Sequence, residues 1–219
     1  MHPSILTACG IAGAVLVAGA TLAKGDDRAA ELAALEERLL EAEAVRVEFT
    51  ITSEGILSTA LKGSLDIRGE NLSLEADGDF GGSPVDLILA VSGSEIAGGN
   101  LALADARLRE FSVANPGAAK EAVVLGMTRM GILHNLALLT GSRPPDRSAG
   151  GFRNWVKADK VRGEGNGLAF AILVDGDAAA EAMLAMDNRG LPTRREQINQ
   201  FPAGEMRVVE TYRMFEVTD

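Results

Sequence analysis

The sequence predicts an α+β protein that is mainly antiparallel β. We expect a curved, unclosed, β-barrel-like sheet of about ten strands, with an N-terminal helix and a central apolar helix acting as lid or plug. Three observations predict this fold class. Apolar and polar residues alternate in successive segments, short Gly- and Asn-containing turns separate those segments, and two stretches have helical periodicity instead.

Residues 1–23 differ in composition from the rest of the chain. They contain no Asp, Glu, Lys or Arg, and Ile5 to Ala23 is nearly all Ala, Gly, Val, Leu and Ile. An apolar run that ends in small residues is typical of a secretory signal, with Ala18-Gly19-Ala20 and Ala23 as candidate cleavage sites. A retained inner-membrane anchor is the alternative, since the run has nearly the ~20 apolar residues that a membrane span needs. We therefore expect residues 24–219 to form one domain in the periplasm.

Charge and cysteine content exclude several classes of function. The chain has 31 acidic and 21 basic residues, a formal net charge of −10. This excess argues against binding to nucleic acid and against docking on anionic lipid headgroups by charge. Cys9 is the only cysteine, and its Leu6-Thr7-Ala8-Cys9 context resembles a lipobox although the apolar run follows it. Cleavage would leave no thiolate and a single histidine, so we expect no metal and no cofactor.

The first half of the mature chain predicts one helix followed by an antiparallel meander. Leu32, Leu35, Leu39 and Leu40 have helical spacing, which predicts an amphipathic helix over 28–44. Strict alternation begins at Val45 and predicts strands separated by glycine-containing turns. The five predicted strands cover residues 45–52, 57–67, 72–76, 85–91 and 95–97.

Residues 118–140 interrupt the alternation. Apolar side chains surround most of this stretch, which predicts a long buried helix or one that covers an apolar cavity. A loop at 141–151 follows it, and strand patterns then resume. These strands are predicted at Phe152–Arg162, Leu168–Val174, Glu181–Asp187, Thr193–Phe201 and Met206–Val217.

Two stretches near the C-terminus resemble the LolA-type lipoprotein-carrier superfamily of the bacterial envelope. They are Asp187-Asn188-Arg189-Gly190-Leu191-Pro192-Thr193-Arg194-Arg195-Glu196 and Phe201-Pro202-Ala203-Gly204-Glu205-Met206-Arg207-Val208; a helix running directly into a strand, from Leu35 to Ile51, adds to the likeness. The resemblance implies an unclosed β-barrel with a helical lid that holds acyl chains or another apolar ligand. The chain departs from that superfamily in its scarce aromatic residues and in its unusually apolar central helix.

The candidate binding site is an apolar cavity between the sheet and the central helix. Arg129 would contact a polar headgroup or pair with an internal acid, and His134 is a second headgroup candidate. The residues expected to line the cavity are Val47, Phe49, Ile51, Leu61, Leu65, Leu72, Leu74, Leu87, Leu89, Met127, Met130 and Leu133.

These patterns favour a non-enzymatic periplasmic carrier of a lipid-like or acyl-chain ligand, with an envelope protein as a candidate partner. The first alternative is a structural or interaction module of the envelope whose barrel is filled and binds no ligand. The second is a hydrolase that uses His134, although no nucleophile motif accompanies this histidine.

Overall fold

The protein is built around one continuous antiparallel sheet. The structure is a computed structural model that describes residues 28–102, 108–112, 117–133 and 152–219. Within these ranges the sheet has eleven strands in the order β6-β5-β4-β3-β2-β1-β11-β10-β9-β8-β7, and it remains open between the edge strands β6 and β7. The predicted fold class is therefore confirmed. The bounds are β1 Ala44–Gly55, β2 Thr59–Arg68, β3 Asn71–Phe80, β4 Ser83–Ser92, β5 Glu95–Asn100, β6 Arg109–Ser112, β7 Val156–Glu164, β8 Gly167–Val174, β9 Asp177–Met186, β10 Pro192–Phe201 and β11 Gly204–Thr218.

Period-2 burial explains why these segments form a sheet with two different faces. Along β1 the odd-numbered side chains from Val45 to Ser53 are buried, while most of the even-numbered ones face solvent. Strand β1 pairs with both β2 and β11, so the N-terminal and C-terminal halves of the sheet join at its centre. We call the face that carries these buried side chains the inner face.

The N-terminal helix α1, Ala29–Glu41, matches its prediction. Leu32, Leu35 and Leu39 are buried and belong to the same apolar cluster as the inner face. The helix ends next to the start of β1, where Lys120 Nζ donates to the carbonyl of Ala42 at 3.1 Å.

The central helix is shorter than predicted. Helix α2 runs from Ala118 to Arg129, and Gly131 follows in a left-handed conformation with φ 88°. The prediction of one continuous helix over 118–140 is therefore wrong at Met130 and Gly131, because this glycine turns the chain. Ile132 and Leu133 are helical again, and residues 134–140 lie outside the described part. Its apolar character is confirmed, since every residue from Ala122 to Thr128 is buried.

Several strand predictions need correction, and one of them is β9, which begins at Asp177 and not at Glu181. Residues Phe152–Trp155 form one helical turn, α3, so strand β7 begins four residues later than predicted. The turn predicted from Gly78 to Pro84 is only Gly81-Gly82, because β3 extends to Phe80 and β4 begins at Ser83. Strand β6 was not predicted, and Leu57 lies in the β1–β2 turn instead of in β2.

Several predictions fall on residues outside the described ranges. These are the signal or anchor at 1–23, His134 and the loop at 141–151. In the part of the chain that the structure describes, no helix is long and apolar enough to cross a membrane.

Candidate functional site

The structure brings the predicted cavity residues together on the inner face. Strands β1 to β4 contribute nine of them and α2 with the turn after it contributes Met127, Met130 and Leu133. All but Leu87 are buried and lie in one apolar cluster, and Leu87 packs against that cluster half-buried. The apolar side chains of helix and sheet are therefore shielded from solvent at this level.

The burial of the inner face decreases along β4 towards the β3–β4 turn. Leu89 is fully buried, whereas Leu87 and Val85 on the same face are only half-buried. On the neighbouring strand Leu74 and Ala76 are buried and Phe80 is half-buried. Apolar inner-face surface thus continues beyond the part that is fully covered.

Arg129 pairs with an internal acid, which was one of its two predicted roles. Its Nε and Nη2 donate to the two carboxylate oxygens of Glu36 at 2.7 and 2.6 Å, and Nη1 donates to the carbonyl of Val156 at 2.6 Å. Thr128 Oγ1 donates to the same carboxylate at 3.0 Å. The donors of Arg129 are therefore used internally in this conformation, and its contact with a headgroup stays a prediction.

Strand β10 departs from the alternation of apolar and polar residues that predicted the sheet. Its buried inner side chains are Arg195, Gln197 and Asn199, which form a line of hydrogen bonds along the strand. Arg195 Nη1 donates to Gln197 Oε1 at 2.5 Å, and Gln197 Nε2 donates to Asn199 Oδ1 at 2.6 Å. The interior therefore has an apolar wall at β1–β4 and a polar wall at β10.

The polar side chains of β10 and β11 form hydrogen bonds with the backbone at and just after the end of α2. Arg195 lies opposite Glu210 on β11, and its Nη2 donates to the carbonyl of Arg129. Glu210 Oε1 accepts from the backbone N–H of Leu133 at 3.0 Å, and Glu210 Oε2 accepts from the hydroxyl of Tyr212 at 2.8 Å. Arg195 thus satisfies a carbonyl that α2 leaves without an intrahelical partner at its C-terminal end, and Glu210 satisfies a backbone N–H of the segment that follows. Arg195 Nε is buried and has no hydrogen-bond partner among the residues that the structure describes.

Burial shifts the protonation equilibria of this cluster in opposite directions. Burial, with the Glu210 carboxylate next, raises the pKa of Tyr212 well above its ordinary value. Burial also lowers the pKa of Arg195, while Glu210 opposes that change. Since both side chains lie in one buried cluster, Tyr212 stays a neutral donor and Arg195 depends on Glu210 for its counter-charge.

Sequence reasoning missed Arg195, Gln197, Asn199, Glu210 and Tyr212. A signal was present, because Thr193 to Gln200 contains only one apolar residue and so cannot form an apolar strand face. The sequence did not show what these polar side chains bind, because only the fold places the end of α2 over this strand.

A separate cleft lies between α1, α3 and β7. Its volume is about 240 Å³, which is below the roughly 300 Å³ at which pockets for drug-sized ligands begin. It is lined by Ala29, Leu32, Ala33, Arg129, Arg153, Lys157, Ala158 and Val161. Two of its cations are already paired, Arg129 with Glu36 and Arg153 with Glu121.

No group of three or more His, Cys, Asp or Glu side chains is placed to hold a metal ion within the described ranges. The paired acids Asp77 and Asp79 lie on β3, where Asp77 pairs with Lys62 and Asp79 accepts from the N–H of Gly82. These contacts belong to the strand and its turn.

Comparisons with known proteins return similar folds only. No protein-family model matches the chain, and no curated protein matches it. A LolA superfamily protein from Nitrosomonas europaea is similar at 9% identity and a TM-score of 0.44, over 87% of this chain and 93% of that one. A DUF1329 family protein from Desulfovibrio piger is similar at 8% identity and a TM-score of 0.34, over 85% and 90%. The first of these belongs to the superfamily that the sequence resembles, and neither similarity is high enough to transfer a ligand to this chain.

Proposed function

We propose that the protein is a non-enzymatic binding or carrier protein of the cell envelope whose ligand is lipid-like. The observation that carries the proposal is the extent of the apolar inner face. It continues past the buried core to the half-buried Phe80, Val85 and Leu87. The apolar first 23 residues support the envelope location.

In this proposal the helical side of the interior makes room for the ligand. Met127, Met130 and Leu133 occupy the inner face when no ligand is bound, and an acyl chain takes over their contacts with β1–β4. Met suits this role because its unbranched side chain adapts to different apolar neighbours. The ligand is thus expected to be an extended, flexible apolar molecule.

Uptake of an apolar fluorescent dye by the delipidated protein tests the proposal. Leu87→Asp places a charge on the half-buried inner face of β4 and should abolish uptake, because burying a carboxylate beside an apolar ligand is unfavourable. Ala90→Asp is the matched control, since Ala90 is exposed on the same strand. Equal uptake by both variants, or no uptake by the unmodified protein, would contradict the proposal.

One observation favours the interaction-module alternative. Met127, Met130 and Leu133 are 1%, 6% and 5% exposed, and side chains so well shielded from solvent would suit a protein that binds no ligand. If this alternative is right, the dye does not bind to the unmodified protein even at saturating concentration, and adding the dye does not change the protein's stability.

A further inference from the structure

The exposed apolar side chains of this protein lie at one end of its sheet. Among the described residues the exposed large apolar side chains are Ile56, Leu101 and Leu108, at 43%, 40% and 46%. In an antiparallel meander alternate turns lie at the same end, and all three residues follow or precede strands at that end. Half-buried Leu57, Phe80, Val85 and Phe201 lie there too. We call these seven residues the apolar rim.

The opposite end of the sheet has a different composition. Its turns are Gly69-Glu70, Gly93-Ser94, Gly165-Asn166 and Asp187 to Leu191. Glycine and polar side chains dominate them, as is usual for surface turns. Exposed apolar side chains are therefore found in the turns at one end of the sheet and not in those at the opposite end.

Backbone hydrogen bonds join the β1–β2 turn to β11 on one side and to the β3–β4 turn on the other, and they join Leu101 to β4. The N–H of Ile56 donates to the carbonyl of Glu205 at 3.1 Å, and that of Gly81 donates to Ser58 at 2.8 Å. The N–H of Leu101 donates to Asp86 at 2.7 Å. A surface that is already ordered loses little conformational entropy when a partner binds.

Two glycines allow the apolar side chains to lie across neighbouring turns. A Cβ atom on Gly204 would lie 2.9 Å from Ile56 Cγ2, and one on Gly81 would lie 2.9 Å from Leu57 Cδ1. Ile56 thus lies over the β10–β11 turn and Leu57 over the β3–β4 turn. The apolar surface is continuous across three turns that are far apart in sequence.

Carboxylates lie beside the part of the rim that β1–β4 and the β10–β11 turn contribute, whereas Leu108 is followed by Arg109 at the start of β6. Glu54, Asp86 and Glu205 are exposed beside the rim and Asp79 is half-buried. Arg207, a cation at this end, is already paired with Glu54 and Glu196. A second copy of the chain would bring the same carboxylates face to face, and an anionic bilayer would repel them.

We propose that the apolar rim is a docking surface for a partner protein that presents an apolar patch flanked by Lys and Arg side chains. The apolar centre supplies the buried contact, and the flanking carboxylates give orientation and a faster encounter. The rim shares the half-buried Phe80 and Val85 with the inner face, whereas Ile56 and Leu101 are not among the residues assigned to the ligand. Substitution of Ile56 and Leu101 is therefore expected to leave ligand uptake unchanged.

Site-specific photo-cross-linking in the producing cell tests the proposal. A photoreactive residue is placed at Leu101 on the rim, or at Asn188 in a turn at the opposite end. We expect one protein to be cross-linked from position 101 and not from position 188. Cross-links from position 101 only to lipid or only to another copy of this chain, equal labelling from both positions, or none at all would overturn the proposal.

The captured protein is then purified and its affinity for the full chain is measured. Ile56→Ser combined with Leu101→Ser should weaken binding by at least about tenfold, and raising the salt concentration should weaken it further. Glu70→Ser combined with Asn188→Ser is the matched control at the opposite end and should leave binding unchanged. Affinity that is insensitive to the rim variant or to salt would overturn the proposal. Dye uptake should be the same in the rim variant and in the control variant.

Discussion

At the scale of single residues, the most informative contact is the ion pair between Glu36 on α1 and Arg129 at the end of α2. Both side chains are largely removed from solvent, with 3% and 12% of their surface exposed. Glu36 Oε1 also accepts from the Thr128 hydroxyl, and Arg129 Nη1 donates to two backbone carbonyls. Such a pair fixes the relative position of two helices even where its net contribution to stability is small.

Removing one partner of this pair should be costly. Glu36→Gln leaves the Arg129 guanidinium buried without a counter-charge, and the free energy of unfolding should fall by about 3–5 kcal/mol. Glu31→Gln is the control, because Glu31 on the same helix pairs with Arg28 in solvent; it should cost about 0–1 kcal/mol. Urea denaturation of both variants measures the difference, and equal costs would show that the Glu36 pair is not buried in solution.

The single tyrosine reports on the polar cluster. Burial raises the pKa of Tyr212, so the folded state keeps a proton that the unfolded state loses near pH ~10. The contribution of neutral Tyr212 to the free energy of unfolding is fully present below that pH and should be lost as the pH rises through the alkaline range. Tyrosinate absorbance should appear together with loss of the circular dichroism signal. Ionisation near pH ~10 with the native signal intact would contradict the burial of Tyr212.

At the scale of elements, Gly131 explains why the central helix ends early. Its φ of 88° favours glycine, and a Cβ there would lie 2.6 Å from Glu210 Oε1. The sequence predicted the apolar character of this segment correctly, because that follows from composition. It could not predict the break, since a glycine within an apolar run is compatible with a continuing helix until tertiary contacts are known.

Substitution of Gly131 should be more harmful than substitution of another left-handed glycine. Gly131→Ala adds a steric conflict with the Glu210 carboxylate to the backbone strain. Gly165→Ala is the control, because Gly165 has φ 59° and no atom within 4 Å of an added Cβ. The Gly131 variant should lose about 1–3 kcal/mol more than the control in thermal or urea unfolding. Equal losses would mean that the turn is not packed on Glu210.

The β9–β10 turn has a testable acid dependence. The N–H of Leu191 and then the Arg189 side chain lower the pKa of Asp187. A lowered folded pKa contributes stability above the unfolded value of about 3.9, and that contribution is lost as the pH falls through the folded pKa. Asp187→Asn should therefore flatten the acid limb of stability against pH below about pH 4. An unchanged acid limb would contradict the turn geometry.

At the scale of the whole molecule, alternation, turn chemistry and helical periodicity were sufficient to predict an antiparallel sheet with an N-terminal and a central helix, while the family resemblance implied that the sheet does not close. They could not predict that β10 faces inward with polar side chains, because Arg195 and Glu210 become neighbours only through pairing of β10 with β11. They also could not assign the partner of Arg129, which lies 93 residues away on α1. Long-range pairing of charged residues is the part of this site that local sequence patterns do not contain.

The central claim is that the apolar inner face carries a lipid-like ligand. Native mass spectrometry of the protein purified from the envelope fraction tests it most directly. We expect a stoichiometric adduct with the mass of an acyl-chain molecule, present in the Ala90→Asp variant and absent from Leu87→Asp. Repeated preparations whose mass equals that of the polypeptide alone would contradict the claim.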